Sequence, residues 1–282
     1  ELTLFTHTAM NSTYGESFIV YNPDFQTLKI HSSYTRQKDG TIVKTPDNAF
    51  VEVLPRFAAD APAYNQLKEM VVVHTGLELG ATIYLDYSII TKPGYYPALD
   101  INERLQETSP VKECKVSISV PEGTPLACGL YGSPVKAVEE SHDGIKEEHW
   151  TLRNIPASSR EAFQPKNREA SPHLVASTYP ALATLDKRLK ESQGYESKTF
   201  AQFLTDKSGN EQEKVNIIRD HILNNLSTCP IPMAMTGYTV RDIDTVLRSA
   251  YGTPLEIAQL LNVMLNAAGI PSEVLAVYPG HL

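Results

Sequence analysis

The sequence predicts an α+β protein in which an N-terminal antiparallel β-sandwich domain, residues 1–170, precedes a mainly helical domain, residues 171–282. Three observations support this fold class. In the first half, apolar residues recur at every second position, as in strands with one buried face. Pro, Gly and Ser punctuate these runs at short intervals, which favours an antiparallel sandwich. In the second half, the apolar period changes to that of a helix.

Individual strands follow from the alternation. Residues 82–90 carry Ile, Leu and Tyr on one face and Thr, Asp and Ser on the other, and residues 115–120 and 149–153 repeat the pattern. Residues 38–40, Lys-Asp-Gly, lie between two apolar runs and predict a hairpin with a type I′ turn, because this turn needs two residues that tolerate positive φ. Residues 154–172, rich in Pro, Ser, Arg and Glu, are predicted to connect the two domains.

The second half contains predicted helices over residues 180–193 and 211–226, the second with an apolar stripe beside charged residues. A strand is predicted over residues 273–278, after a helix that ends near residue 268. The predicted order of elements in the second half is therefore three helices followed by one strand.

The most strongly marked helix begins at Pro254. Thr253 can cap a backbone N–H, Pro254 suits the first helical position, and Glu256 can complete a capping box. The residues that follow are apolar almost all round, so a central, buried helix is predicted. Gly269 provides a left-handed stop.

The composition excludes several classes of partner. A formal net charge of -8 and a pI near 5.5, without a Lys/Arg-rich run, argue against nucleic acid or anionic lipid as the main partner. No run of about 18 apolar residues occurs, so no membrane span is predicted. The chain begins with Glu1 rather than Met, which suggests that a signal or an upstream segment has been removed, although an expressed fragment would begin in the same way.

The three cysteines have no metal-type spacing. Cys114 and Cys128 could form a disulfide if neighbouring strands bring them together, but together with Cys229 they are predicted as buried free thiols. Residues 139–149 collect possible metal ligands around Asp143-Gly144, which is also a good hairpin turn, and charges near a turn are usually solvated. We therefore predict neither a metal site nor a cofactor.

An aromatic loop is the candidate binding patch. Residues 92–99 place Tyr95 and Tyr96 among prolines. Exposed tyrosines in a loop on a β scaffold can bind a sugar or a partner protein. The alternative is that the two rings pack against the other domain.

Several motifs carry a resemblance to a known family. Gly252, then Ala258, the Leu pair at 260–261, and Asn-Ala-Ala-Gly-Ile-Pro at 266–271 before a strand resemble the core of bacterial transglutaminase-like proteins. That family has Gly-x-Cys, an alanine four residues after the cysteine, and a leucine-rich helix that ends in Ala-Gly-Ile. Residues 211–226 and 238–247 also stand where the family has them.

The first half resembles the uncharacterised β domain that precedes such cores in bacterial envelope proteins. The matching motifs are at residues 38–41, 67–80, 109–112 and 150–156. The resemblance implies an exported protein of the periplasm or outer cell envelope.

The same resemblance puts Pro254 at the position of the nucleophilic cysteine. In the family, a helix N-terminus and a histidine from a following strand lower the pKa of that thiol. Proline offers neither a nucleophile nor an N–H for an oxyanion hole. The triad His and Asp would come from strands after the helix, so the transglutaminase-like core is truncated at Leu282 unless His281 serves as the histidine.

Two functions follow as hypotheses. The first is a non-catalytic envelope protein that binds or assembles with an unidentified protein or carbohydrate. The second is a cysteine-dependent peptide or amide hydrolase, or a transglutaminase, that uses a different cysteine with His and Asp downstream of Leu282. Cys229 is the candidate for a displaced nucleophile if it lies near the Pro254 helix, and a structural role is its simpler interpretation.

Overall fold

The computed structural model describes residues 1–10, 14–158, 171–179, 194–206 and 208–275. The chain divides into two compact units, a first unit of Glu1–Tyr96 with Glu191–Leu275 and a second unit of Pro97–Lys190 with Ala276–Leu282. Antiparallel sheets fill much of residues 1–155, and the longer helices follow them. The predicted α+β class is therefore confirmed.

Antiparallel strands build two sheets in the described part of the first unit. They are β1 (Leu2–Thr3), β2 (Glu16–Tyr21), β3 (Gln26–Arg36), β4 (Ile42–Lys44), β5 (Phe50–Val53), β6 (Lys68–Val73) and β7 (Thr82–Thr91). One sheet has the order β1-β7-β3-β4 and the other the order β2-β6-β5. The strand predicted at residues 82–90 is confirmed as β7.

β3 and β4 form the predicted hairpin, but its turn is not of type I′. Gly40 has a φ of 91°, Asp39 does not have a positive φ, and the N–H of Gly40 donates to the carbonyl of Gln37 at 3.0 Å. A type I turn followed by a left-handed glycine requires positive φ at the glycine alone. The Asp39 carboxylate instead accepts the N–H of Thr41 at 2.8 Å.

The second unit contains two three-stranded antiparallel sheets in its described residues. Its strands are β8 (Asp100–Arg104), β9 (Val111–Pro121), β10 (Ala127–Tyr131), β11 (Val138–His142), β12 (Ile145–Ile155) and β13 (His173–Ser177), ordered β10-β13-β8 and β11-β12-β9. Both sheets supply one hydrophobic core, in which Ile118 and Trp150 of one sheet lie with Leu174 and Ala176 of the other. The strands predicted at 115–120 and 149–153 are confirmed within β9 and β12.

The helical part of the first unit contains α1 (Glu196–Thr205), α2 (Glu211–Asn225), α3 (Ile243–Ser249) and α4 (Pro254–Ala267). α4 packs against α1, α2 and α3. Its Leu260 and Met264 are fully buried in one core with Ile218 of α2 and Val246 of α3. The predicted central position of this helix is thus confirmed, as is the predicted helix that corresponds to α2.

The end of α4 follows the predicted stop. Gly269 has a φ of 83°. The N–H of Ile270 donates to the carbonyl of Leu265 at 3.0 Å, and the N–H of Gly269 donates to that of Asn266 at 3.1 Å. These two bonds satisfy carbonyls that would otherwise end the helix without partners.

The compact units differ from the predicted domains. β13 lies after residue 170, yet it pairs with β8 and β10 and so belongs with the β strands. The N-terminal strands share the first unit with the helices. The predicted helix at 180–193 lies outside the described residues. In the predicted strand at 273–278, residues 273–275 form no strand, and the rest lies outside the described residues.

The cysteines carry free thiols. Cys114 and Cys128 are half-buried and Cys229 is buried. The alternative of a disulfide between Cys114 and Cys128 is therefore not formed in this structure.

Candidate functional site

The start of α4 is the place where the sequence predicts a proline in the position of a catalytic cysteine. Pro254 is exposed as the first helical residue. The Thr253 hydroxyl accepts the N–H of Glu256 at 3.3 Å, and the Glu256 carboxylate accepts the N–H of Thr253 at 2.8 Å. The predicted capping box is confirmed, so the helix tip satisfies its own donors rather than presenting them to a ligand.

The carboxylate of Glu256 is also the centre of a buried hydrogen-bond network, and its side chain is 0% exposed. Oε1 accepts the Tyr64 hydroxyl at 2.9 Å, the Arg241 backbone N–H at 2.9 Å and Arg241 Nε at 3.0 Å. Oε2 accepts Arg241 Nη2 at 3.0 Å. Burial raises the pKa of this carboxyl, but the bonds from Arg241 and Thr253 outweigh it and hold the pKa below its usual value.

Arg241 is engaged on every side. Besides the carboxylate, its Nη2 donates to the Tyr251 carbonyl at 2.6 Å and its Nη1 to the Ser249 hydroxyl at 3.3 Å. Its guanidinium carbon lies 4.4 Å from the centre of the Tyr251 ring and 5.6 Å from that of Tyr64. This cation is therefore a structural partner of Glu256 and stacks on aromatic faces.

Cys229 lies beside the chain that leads into α4. Its N–H donates to the Gly252 carbonyl at 2.8 Å, so it is near the helix start, as a displaced nucleophile would need to be. The residue is only 3% exposed, and burial raises the pKa of its thiol, an effect that the positive charge of Arg241 only partly opposes. These are the properties of an inert thiol.

Tyr95 and Tyr96 do not form an exposed patch. Tyr95 is 6% exposed, and its hydroxyl donates to the Met235 carbonyl at 2.8 Å. The Tyr96 hydroxyl accepts Gln26 Nε2 at 3.2 Å. The alternative of packing is therefore correct for Tyr95, because a buried phenol is stable where its hydroxyl has a partner.

A cavity of about 220 Å³ lies beside Tyr95 in the first unit. Its lining residues are Asn22, Phe25, Ala63, Tyr64, Gln66, Tyr95, Met235, Thr236, Thr239, Val240 and Arg241. Phe25 stacks on Tyr95 with ring centres 4.7 Å apart and an angle of 8° between the planes, yet it remains 44% exposed. Sequence reasoning missed Phe25, and its signal was a single aromatic directly after the Asn-Pro-Asp turn at 22–24.

A second cavity of about 170 Å³ in the same unit contains a serine and a histidine. Ser17 Oγ lies 2.8 Å from His74 Nε2. Burial lowers the pKa of His74, and its Nδ1 has no hydrogen-bond partner among the described residues. A serine nucleophile needs its histidine oriented by a third group, and the part of the chain that the structure describes supplies none to this pair.

The other sequence candidates do not converge on a site. Residues 139–149 span the hairpin of β11 and β12, whose turn residues Asp143 and Gly144 both have positive φ, as predicted. Within the part of the chain that the structure describes, no group of three His, Cys, Asp or Glu could hold a metal ion. His281 lies outside the described residues.

A helix long and apolar enough to cross a bilayer does not occur among the described residues.

Comparison with known proteins adds the following. The family model described as "Domain of Unknown Function with solved-structure structure (DUF3857)" matches residues 1–159. A crystal structure at 2.00 Å of a protein from Parabacteroides distasonis ATCC 8503, described as a "putative protease", is 98% identical with a TM-score of 0.96. The match covers 99% of this chain but only 56% of that one. Comparison with curated proteins gives no match.

Proposed function

Since this chain belongs to the DUF3857 family, whose description assigns no activity, we propose that it is a non-catalytic protein of the bacterial cell envelope with a binding or assembly role. In this proposal its helical part is a transglutaminase-like core that has lost its nucleophile. The proposed location rests on the resemblance of the first half to β domains of envelope proteins.

The observation that carries the proposal is Pro254. It is exposed at the first position of α4, where the family that the chain resembles has its cysteine. A thiol there would meet solvent and the positive end of the helix dipole, which favours a reactive thiolate. Proline in that place has no atom that can attack a carbonyl and no N–H to stabilise an oxyanion.

The neighbouring groups support the same proposal. Glu256 and Arg241 are hydrogen-bonded to each other and to Tyr64 and Tyr251. Neither is therefore available as a general base or as an electrostatic stabiliser of a reacting group. Cys229 is near the helix start but buried, with a raised thiol pKa. The groups around the helix tip therefore favour rigidity over catalysis.

The network also suggests what the retained core does. Tyr64, from the N-terminal region, donates to Glu256 across 192 positions of sequence, and Tyr95 donates to the Met235 carbonyl across 140. The first bond fixes α4, and both bonds tie the N-terminal part of the first unit to its helical part. We infer a rigid scaffold for an unidentified protein or carbohydrate, with nucleic acid disfavoured by the net charge of -8.

A second candidate function has one specific observation in its favour. The 98% identical protein is described as a "putative protease", and this chain spans 56% of it. A cysteine-dependent hydrolase or transamidase would then use a cysteine other than one at position 254, with His and Asp from the rest of the longer protein. Cys229 is the weakest part of that mechanism because it is buried.

The two functions are separated by a search for a covalent intermediate in the longer protein. The protein is incubated with casein and with casein plus a fluorescent primary amine, and its intact mass is followed with and without hydroxylamine, which cleaves thioesters. Papain and an active transglutaminase are positive controls, and a variant with its cysteines changed to serine is the matched negative control. We expect no peptide release, no amine incorporation and no adduct.

An adduct that hydroxylamine removes and that is absent from the cysteine-free variant would overturn the non-catalytic proposal. Its position on the chain would then identify the nucleophile of the second candidate function.

A further inference from the structure

The cavity beside Tyr95 has an aromatic wall that is held rigidly. Tyr95 is fixed by its bond to the Met235 carbonyl and by Asn22 Nδ2, which donates to its hydroxyl at 3.3 Å. Its ring also lies directly on Gly237, where an added Cβ would stand 2.7 Å from the ring. Phe25 stacks on this fixed ring, so its own plane is set before any ligand arrives.

Phe25 is much more exposed than the Tyr95 ring on which it stacks. One face is covered by Tyr95, and the side chain is nevertheless 44% exposed, whereas Tyr95 is 6% exposed. Its other face is therefore open at a cavity wall. A flat, preorganised apolar face in a concave site is a typical ligand platform.

The rest of the lining mixes polar side chains with Ala63, Met235 and Val240 and has no uncompensated charge. The half-buried amide of Gln66 has no hydrogen-bond partner among the described residues. The hydroxyls of Thr236 and Thr239 donate to the carbonyls of Met233 at 2.9 Å and Thr236 at 2.6 Å, so each offers a ligand only its acceptor lone pairs. Among the described lining residues only Arg241 is ionic, and its charge is compensated by Glu256. Such a site favours a neutral ligand with several hydroxyl or amide groups over an ionic one.

The volume limits the ligand to one ring. About 220 Å³ lies below the roughly 300–1,000 Å³ of cavities that hold drug-sized molecules. A sugar ring matches this lining, because the C–H groups on its face can lie on the negative face of Phe25 while its hydroxyls bond the Gln66 amide and donate to the threonine oxygens. An apolar peptide side chain would leave the half-buried Gln66 amide unpaired.

We propose that this cavity, named here the Phe25 cavity, binds one neutral sugar ring of a glycan. The proposal rests on the binding role proposed above and specifies its ligand class. Phe25 supplies the stacking face, Gln66 a donor and an acceptor, and Thr236 and Thr239 further acceptors.

Saturation-transfer difference NMR on the purified chain tests the proposal with methyl glucoside, methyl galactoside, methyl mannoside and N-acetylglucosamine as probes. We expect saturation of ring protons in at least one probe, with about tenfold weaker binding for Phe25→Ala and a smaller loss for Gln66→Ala. Phe25→Trp should retain binding. Phe203→Ala is the matched control, since Phe203 is a 76% exposed aromatic on α1 and not part of the lining.

The results that overturn the proposal are specific. They are the absence of saturation for all four sugars, equal binding by the Phe25→Ala and wild-type chains, or binding in the Phe25 cavity of a leucine- or tyrosine-containing dipeptide without any sugar. Thermal unfolding of each variant confirms that it is folded. Loss of the sugar site leaves the non-catalytic proposal standing, because that proposal is tested by the covalent adduct and by the reactivity of the cysteines, not by sugar binding.

Discussion

Replacing Arg241 by Met should destabilise the protein strongly, because it leaves the buried Glu256 carboxylate without its cation. The change removes the bonds from Nε and Nη2 to the carboxylate, at 3.0 Å each, and the bond to the Tyr251 carbonyl. Breaking a buried ion pair costs about 3–5 kcal/mol. Three donors to Glu256 remain, from Tyr64 and two backbone N–H groups, so we expect about 3–4 kcal/mol.

Urea and thermal unfolding followed by far-UV circular dichroism measure this loss. A change of about 3–4 kcal/mol corresponds to a fall in Tm of roughly 6–16 °C for a unit of this size. Arg248→Met is the matched control, since Arg248 Nη1 lies 2.7 Å from Glu196 Oε1 but both side chains are more than half exposed. An exposed pair of this kind contributes about 0–1 kcal/mol.

The pH dependence of the stability difference between the wild type and Arg241→Met is an independent test. In the wild-type fold the pKa of Glu256 is lowered, so its contribution is present above the unfolded pKa of about 4.3 and is lost as the pH falls through the lower folded value. Burial raises the pKa of this carboxyl, and the Arg241 guanidinium is the largest cause that lowers it. Without the guanidinium the pKa should therefore rise, and protonation should relieve part of the cost. The stability gap should therefore narrow from pH 7 toward pH 4. The reasoning would be refuted if Arg241→Met lost no more unfolding free energy than Arg248→Met, or if its loss did not change with pH.

Three further predictions concern single residues. Asp244 accepts the N–H and hydroxyl of Ser197 at the start of α1, and its pKa is about 2 against 3.8, so Asp244→Asn should cost about 2 kcal/mol at pH 7. That loss should fade as the pH falls from 3.8 toward 2 in urea titrations. Gly237→Ala should lower Tm, because its φ is 62° and its Cβ would meet the Tyr95 ring. Gly94→Ala is its control, since Gly94 has a positive φ but no neighbour within 4 Å, so its fall in Tm measures the backbone strain alone. Burial lowers the pKa of His74, so stability should fall as the pH drops below about 6.5, and His74→Gln should flatten that fall.

Local signals predicted the parts of the fold that depend on neighbouring residues. The capping box of Thr253 and Glu256, the Gly269 stop and the alternating strand β7 are each decided within a few positions of sequence. The Lys-Asp-Gly hairpin was also predicted, but not its turn type. Several turns share those residues, and the register of the flanking strands selects one.

Long-range contacts explain what sequence reasoning did not foresee. Tyr95 lies in a loop of prolines and glycine that looks exposed, and only the Met235 carbonyl, 140 positions away, makes its burial favourable. Glu256 was predicted as a cap, whereas its larger role depends on Tyr64 and Arg241. β13 escaped prediction because a five-residue strand between segments of low periodicity is recognisable chiefly by its partners.

The rate of alkylation of each cysteine in the longer protein as a function of pH tests the central claim most directly. Burial raises the pKa of Cys114 and Cys229, and burial with the Glu148 bond raises that of Cys128 to about 12. We expect every thiol to react slowly, whereas a Pro254→Cys variant, with a thiol at the exposed helix start, should gain one fast site. Mass spectrometry assigns each modified residue. A wild-type cysteine that reacts as an anion well below the reference pKa of about 8.5 would contradict the account and identify the nucleophile of an enzyme.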